Sequence, residues 1–93
     1  TLVIDVREPA EISATGLIPT SQAIPLGHVE QALQLSPQQF QATYGFSKPQ
    51  PEDHLVFYCR SGVRAGTAMD IAQRLGFKSA RNYKGSWLEY SGR

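Results

Sequence analysis

The chain has 93 residues, 41% of them hydrophobic, which suits one domain with a single modest core. The formal net charge of +1 excludes a strong overall field toward nucleic acid or an anionic membrane, so we expect neither as a partner. The single cysteine excludes an internal disulfide and favours a reducing, intracellular setting, in the cytoplasm or the mitochondrion. No apolar run approaches the roughly 20 residues of a membrane span. We interpret residues 1–93 as one domain, which could be trimmed from a longer chain because it opens inside a strand-like run.

The first half of the chain predicts two short extended segments and three helices. Its opening apolar run is rich in β-branched residues, which is typical of a strand covered on both faces. Pro9 suits the first turn of a helix, and Ser36 followed by Pro37 marks the start of another that Gly45 closes. The predicted elements are, in order, a strand over 2–6, a helix over 9–14, an extended segment over 23–26 and helices over 27–35 and 37–44.

The second half of the chain predicts two further strands and two helices. A proline-rich loop over 48–53 precedes an apolar run over 54–58, which we interpret as the central strand. A helix over 64–75, a weak strand over 79–83 and a short helix after Gly85 follow. Short strands that alternate with helices predict an α/β fold, with a mainly parallel central sheet and helices on both faces.

The only cysteine, Cys59, lies in the loop between the central strand and the following helix. Arg60 and Arg64 are close to it in sequence. Both a helix N-terminus and guanidinium groups favour the thiolate over the thiol. A pKa decrease of about two units requires roughly 2.7 kcal/mol, which one helix end and one or two partly buried cations can supply. The loop therefore predicts an activated nucleophile.

The length of this loop indicates what the cysteine handles. Ser61, Gly62 and Val63 can turn their backbone N–H groups inward and form a nest for an anion. Four residues separate Cys59 from Arg64, whereas cysteine phosphatases have one more between the corresponding positions. One residue fewer removes up to about 3.5 Å of chain. The shorter loop suits a single sulfur atom better than a phosphate, so sulfur transfer is favoured.

Four motifs of the chain resemble those of the single-domain rhodanese family of thiosulfate sulfurtransferases. The similarity extends to the small thiosulfate sulfurtransferase-like domain-containing proteins of animals and covers essentially the whole chain. The motifs lie at residues 2–7, at 16–19 with 23–25, at 59–64, and at 82–85 with Trp87. The chain departs from the family pattern at Leu17, Thr20, Ser21 and Ala23, and at Ser86, where relatives have a second glycine.

The resemblance implies a rhodanese-like fold and a reaction in two steps through a persulfide on Cys59. It assigns the backbone amides from Arg60 to Arg64 to the persulfide and the side chains of Arg60 and Arg64 to the anionic donor. Gly62 is expected to permit the turn of the loop. The implied partners are a thiosulfate-like donor and a thiol acceptor of the glutathione or thioredoxin kind, or cyanide. We expect a monomer.

The remaining polar residues predict supporting roles. Asp5 and Arg7 lie at the end of the first strand, and we interpret them as residues that hold the edge of the site by hydrogen bonds to loop backbone. His28 and His54 show no metal-site spacing, so we expect neither a metal nor a cofactor. Two alternatives to the sulfurtransferase stay open. One is a rhodanese-like redox- or persulfide-sensing or binding module with little turnover, and the less favoured one is a small cysteine phosphatase or arsenate-reductase-like enzyme.

Overall fold

A computed structural model describes residues 1–91 and contains four strands and five helices. The four strands form one sheet with the order β2-β1-β3-β4, and all three pairs of neighbours are parallel. This confirms the predicted α/β class with a parallel sheet. The elements are β1 (Leu2–Asp5), α1 (Pro9–Thr15), β2 (Gln22–Ala23), α2 (Leu26–Ala32), α3 (Pro37–Tyr44), β3 (Leu55–Tyr58), α4 (Val63–Arg74), β4 (Ala80–Asn82) and α5 (Ser86–Ser91).

The boundaries of two elements differ from the prediction by more than one residue. The extended segment expected over 23–26 is a two-residue strand, because Pro25 becomes the N-cap of α2. The helix expected over 27–35 ends at Ala32, since the following amides form the tighter bonds of a 3₁₀-like turn, such as Leu35 N–H to Ala32 O at 3.1 Å. The helix between Ser36 and Gly45 has the predicted caps.

The core is built on the two central strands, with α4 and residues of α2 and α3 packed into it. Ile4, Leu55 and Phe57 are fully buried on β1 and β3. The predicted apolar face of α4 packs against this core, and three of its alanines are fully buried, which lets the helix approach the sheet closely. These alanines are Ala65, Ala68 and Ala72. Within residues 1–91, no helix combines the length and apolar character that crossing a membrane requires.

Candidate active site

The site lies at the carboxyl ends of β1 and β3, the two central strands of the sheet. Their parallel register pairs Asp5 with Tyr58, so the residues that follow each strand lie side by side. The amide of Val6 donates to Tyr58 O at 2.9 Å and fixes this alignment. Loops after the carboxyl ends of parallel strands are the usual place for binding sites in open α/β sheets. The fold therefore brings Arg7 and Cys59, which are distant in sequence, to the same end of the sheet.

The thiol of Cys59 is surrounded by backbone N–H groups of its own loop and of the first turn of α4. The residue is 1% exposed, and the amide of Gly62 donates to Sγ at 3.0 Å. Burial by itself raises the pKa of the Cys59 thiol, but hydrogen bonds from the amides of Ala65, Gly62, Ser61 and Arg64 outweigh burial and lower the pKa below its ordinary value. The thiolate is thus the stabilised form, and backbone groups supply most of the stabilisation.

Gly62 allows the loop to turn back on the sulfur. It is the N-cap of α4 and has φ +98°, in the region that favours glycine. A Cβ atom at this position would collide with the carbonyl oxygen of Lys84. The side-chain Nδ2 of Asn82 donates to Gly62 O at 3.1 Å and holds the turn against β4. The prediction that Gly62 permits the loop turn is consistent with both the angle and the close packing.

The segment after β4 holds the cysteine loop from the other side. Trp87 N–H donates to Cys59 O at 2.9 Å, and Leu88 N–H donates to Arg60 O at 3.0 Å. The hydroxyl of Ser86 accepts a hydrogen bond from Cys59 N–H at 3.0 Å. The sequence shows Ser86 only as a departure from a family pattern and carries no sign of this contact, which spans 27 residues.

The two arginines of the loop have different environments. Arg64 forms a two-pronged ion pair with Glu11 of α1, with N–O distances of 2.6 and 2.9 Å. Its hydrogen bonds lower the pKa of Glu11 to about 2, and the carboxylate in turn raises the pKa of Arg64. Arg60 is exposed and has no ion pair or side-chain hydrogen bond within residues 1–91. Arg60 is therefore the uncompensated cation at the loop, whereas the charge of Arg64 is balanced.

Glu11 was missed by the sequence analysis. It is the third residue of α1, where its side chain also accepts from Glu8 N–H at 3.1 Å, and a carboxylate at that position is an ordinary capping-box feature. Its partner Arg64 lies 53 residues further along the chain. No local pattern identifies this pairing.

Asp5 and Arg7 form a buried ion pair beside the loop, with an N–O distance of 2.7 Å. The guanidinium of Arg7 also donates to Gly16 O at 2.8 Å and to Thr15 Oγ1 at 2.7 Å. Its carbon lies 4.6 Å from the centre of the Trp87 ring, within the range of a cation–π contact. The pair thus connects β1 to the end of α1 and to α5, and the supporting role expected from the sequence stays a prediction.

An open cavity of about 330 Å³ adjoins this site. The cavity is lined by a cation without an ion pair, a carboxylate paired with Arg64, and an indole ring, which belong to Arg60, Glu11 and Trp87. Its remaining lining residues are Arg7, Ala14 and Thr15. Besides Arg60, the exposed residues of the loop are Ser61 and Val63, and Val63 is 76% exposed. Arg60 is thus the residue of the cysteine loop that reaches the cavity.

Neither histidine lines the cavity beside the cysteine loop. His28 is exposed on α2, and His54 precedes β3 at the end opposite Cys59. Within the part of the chain that the structure describes, no group of three or more His, Cys, Asp or Glu side chains could hold a metal ion.

Comparisons with known proteins agree on one family. A family model of the rhodanese-like domain matches residues 1–93. A Schizosaccharomyces pombe protein named putative thiosulfate sulfurtransferase, mitochondrial, is 55% identical over 98% of this chain and 63% of its own length. The human thiosulfate:glutathione sulfurtransferase is 45% identical over 95% of this chain and 76% of its own length. The solved structure of the human single-domain sulfurtransferase TSTD1 has a TM-score of 0.94 and 42% identity, over 99% of this chain and 81% of that one.

The chain spans less than two thirds of the length of some of these relatives. This holds for the S. pombe protein, and for a Mus musculus protein named thiosulfate sulfurtransferase/rhodanese-like domain-containing protein 3, of which the chain covers 57% at 48% identity.

Proposed function

The chain belongs to the rhodanese family, and we propose that it is a sulfurtransferase that carries a sulfane sulfur as a persulfide on Cys59. The observation that carries this proposal is the ring of backbone N–H groups around the Cys59 sulfur. These groups stabilise a negative charge on sulfur without any neighbouring base. The names of the relatives, thiosulfate sulfurtransferases from yeast to human, support the same activity.

The proposed reaction has two balanced steps. In the first, the Cys59 thiolate attacks the outer sulfur of thiosulfate, the sulfur–sulfur bond of the donor breaks, and sulfite leaves with the bonding electrons. In the second, an acceptor thiolate attacks the outer sulfur of the Cys59 persulfide and takes it away as a new persulfide, which regenerates the Cys59 thiolate. Cyanide as acceptor gives thiocyanate. Neither step requires a protein base, because both nucleophiles react as anions.

The loop from Arg60 to Arg64 is proposed to hold the persulfide. In the free enzyme, the amides of Ser61, Gly62 and Arg64 stabilise the Cys59 thiolate. After transfer, the charge resides on the outer sulfur, and the same inward-facing amides are the nearest donors to it. Because only four residues lie between Cys59 and Arg64, the ring fits one added sulfur rather than a phosphate. This length favours the sulfurtransferase over the phosphatase alternative.

The donor and acceptor are proposed from the charges around the cavity. Thiosulfate is a dianion, and Arg60 is the cation available to it at the loop. Arg64 contributes less to donor binding than the sequence suggested, because Glu11 already occupies its guanidinium. The name of the human relative supports glutathione as the acceptor, and a thioredoxin-like thiol remains the alternative.

We propose an intracellular protein, in the cytoplasm or the mitochondrion, and the mitochondrial name of the S. pombe relative supports the second compartment. The chain is proposed to act as a monomer and as a single domain over residues 1–93, with no metal and no cofactor. Asp5 and Arg7 are proposed to support the site rather than to react, since both are buried and engaged with each other.

The test is to incubate the protein with thiosulfate and cyanide and to measure thiocyanate, with Cys59→Ser as the inactive control. We expect turnover by the wild type, none by the variant, and one added sulfur atom on the wild-type protein by intact-mass measurement after thiosulfate alone. A persulfide that forms without turnover toward cyanide or glutathione would favour the sensing module. Hydrolysis of a phosphate ester with no persulfide would favour the phosphatase and refute the proposal.

A further inference from the structure

We propose that Ser86 is a positioning residue for Cys59, because its hydroxyl bridges a break in the β3–β4 hydrogen-bond ladder at the cysteine. The Ser86 Oγ accepts from Cys59 N–H at 3.0 Å and donates to Tyr83 O at 2.7 Å. The side chain is fully buried. Nothing in the reaction described above requires a serine at this place.

The break is visible in the register of the two strands. Leu55 N–H donates to Ser79 O, and Tyr83 N–H donates to Phe57 O at 2.9 Å, as a parallel ladder requires. Continuing the same pattern by one step would make Cys59 N–H donate directly to Tyr83 O. The Ser86 hydroxyl lies between these two groups instead and forms a hydrogen bond with each. The Ser86 side chain therefore continues the hydrogen-bond ladder between β3 and β4 as far as Cys59.

The backbone at Ser86 adopts a conformation that a non-glycine residue rarely takes. Its φ is +50°, in the left-handed region that disfavours a residue with a Cβ atom. The turn is stabilised by Ser86 N–H, which donates to Tyr83 O at 3.0 Å, and glycine at this position would form the same bond. What serine adds over glycine is the hydroxyl, and the hydroxyl contacts the backbone of the cysteine.

The bridge fixes the direction in which the cysteine side chain points. Cys59 N–H is held by Ser86 Oγ, and Cys59 O accepts from Trp87 N–H at 2.9 Å, so both sides of the residue are anchored to one segment. The sulfur must at the same time meet amides at the start of α4, such as that of the N-cap residue Gly62 at 3.0 Å. Hydrogen bonds weaken steeply with distance and angle. A shift of the Cys59 backbone toward Tyr83 therefore weakens the amide bonds to the sulfur.

Removing the hydroxyl leaves the buried Cys59 N–H without its acceptor. The amide then either stays unpaired or moves toward Tyr83, and both outcomes loosen the position of the sulfur. We expect Ser86→Ala to raise the pKa of the Cys59 thiol by half a unit or more, which lowers the thiolate fraction about threefold at a pH below that pKa.

The experiment measures the rate of Cys59 alkylation by iodoacetamide against pH. Since the chain has one cysteine, the profile reports one thiol, and no sulfur donor is involved. A failure of the proposed sulfur transfer would therefore leave this test unaffected. The matched control is Ser21→Ala, because the Ser21 hydroxyl also forms two hydrogen bonds, to Ile18 O at 2.6 Å and with Tyr58 OH at 3.0 Å. The Ser21→Ala variant should be less stable than the wild type and keep the wild-type alkylation pKa of Cys59.

Ser86→Gly is the second variant, because it removes the hydroxyl and also relieves the unfavourable φ. We expect it to fold at least as well as Ser86→Ala and to raise the thiol pKa in the same direction. Wild-type alkylation pKa values in both Ser86 variants, or an equal rise in Ser21→Ala, would overturn the proposal. If neither variant folds, hydrogen exchange at the wild-type Cys59 amide decides. Slow exchange, like that of Phe57, supports the bridge, and exchange as fast as that of exposed loops overturns it.

Discussion

Replacing Glu11 by Gln should make the site bind an anionic donor more tightly. The Glu11 carboxylate holds both outer nitrogens of Arg64, at 2.6 and 2.9 Å, and balances its charge beside the cysteine loop. Gln keeps the size and one acceptor oxygen, so Arg64 can stay in place. The substitution removes one negative charge from the lining of the cavity, so the positive charge of Arg64 is no longer balanced. This change of one charge favours a dianion such as thiosulfate.

The size of the effect follows from the exposure of the pair. The side chains of Arg64 and Glu11 are 33% and 35% exposed, so water screens them substantially. Two unit charges about 4 Å apart in water interact with about 1 kcal/mol. A gain of about 1 kcal/mol in donor binding corresponds to roughly a fivefold lower KM for thiosulfate. The chemical step, which depends on the loop amides, should change little.

The assay is steady-state thiocyanate formation over a range of thiosulfate concentrations, at low and at high salt. We expect the lower KM of Glu11→Gln at low salt and a smaller difference at high salt, because salt screens exposed charges. Glu30→Gln is the matched control, since it changes the net charge equally from an exposed position on α2 outside the cavity lining. An unchanged or higher KM in Glu11→Gln, or an equal decrease in Glu30→Gln, would refute the reasoning.

Three further predictions follow from the same site. Arg60→Gln should raise the KM for thiosulfate about fivefold, because it removes the uncompensated cation at the loop. Thermal stability should not change, since the Arg60 side chain has no partner within residues 1–91. The control Arg74→Gln, at the far end of α4, should leave the KM unchanged. The rate of persulfide formation should rise with pH through the lowered pKa of Cys59 and level off above it, since the thiolate is the reactive form. A midpoint in a stopped-flow pH profile at or above the ordinary thiol pKa of about 8.5 would contradict stabilisation of the thiolate by the loop amides. Gly62→Ala should lower the free energy of unfolding by about 2 kcal/mol or more in urea, because the added Cβ would collide with Lys84 O and because φ +98° is unfavourable for alanine. The control Gly27→Ala places its Cβ in open space and should not change stability.

The pH dependence of stability has a definite sign at Cys59 and at Glu11. The lowered pKa of Cys59 stabilises the folded state at pH values above the thiol's unfolded pKa, and this contribution is lost as the pH falls through the folded pKa. The pKa of Glu11, about 2, means that its pairing with Arg64 stabilises the fold above the ordinary carboxyl pKa and is lost only as the pH falls toward 2. The ion pair therefore stays intact across the range in which the thiol titrates.

The cysteine loop could be predicted because its geometry is local. Strand, loop and helix are contiguous from Leu55 to Arg74, and Gly62 supplies the one left-handed residue that the turn needs. The same holds for α3, whose caps at Ser36 and Gly45 follow from residue types at fixed offsets. The boundaries of β2 and α2 were less predictable, since short segments around Pro25 depend on the strand they pair with.

Two contacts at the site could not be predicted, because they join distant parts of the chain. Glu11 meets Arg64 across 53 residues, and Ser86 meets Cys59 across 27. Neither pair shows a recognisable spacing, and each residue has an ordinary local explanation. These contacts nevertheless determine which arginine of the loop has an ion-pair partner within residues 1–91 and which group accepts from the Cys59 amide.

The single thiol, the length of the loop that surrounds it and the glycine at position 62 can be read from neighbours along the chain. The charges and contacts around that thiol depend instead on how the sheet is assembled. The strand order β2-β1-β3-β4 sets β1 beside β3, and with it α1 and Arg7 beside the loop, while β4 brings the segment of Ser86 to its other side. Side-chain pairing follows from which elements the sheet places together, and no local pattern carries that information.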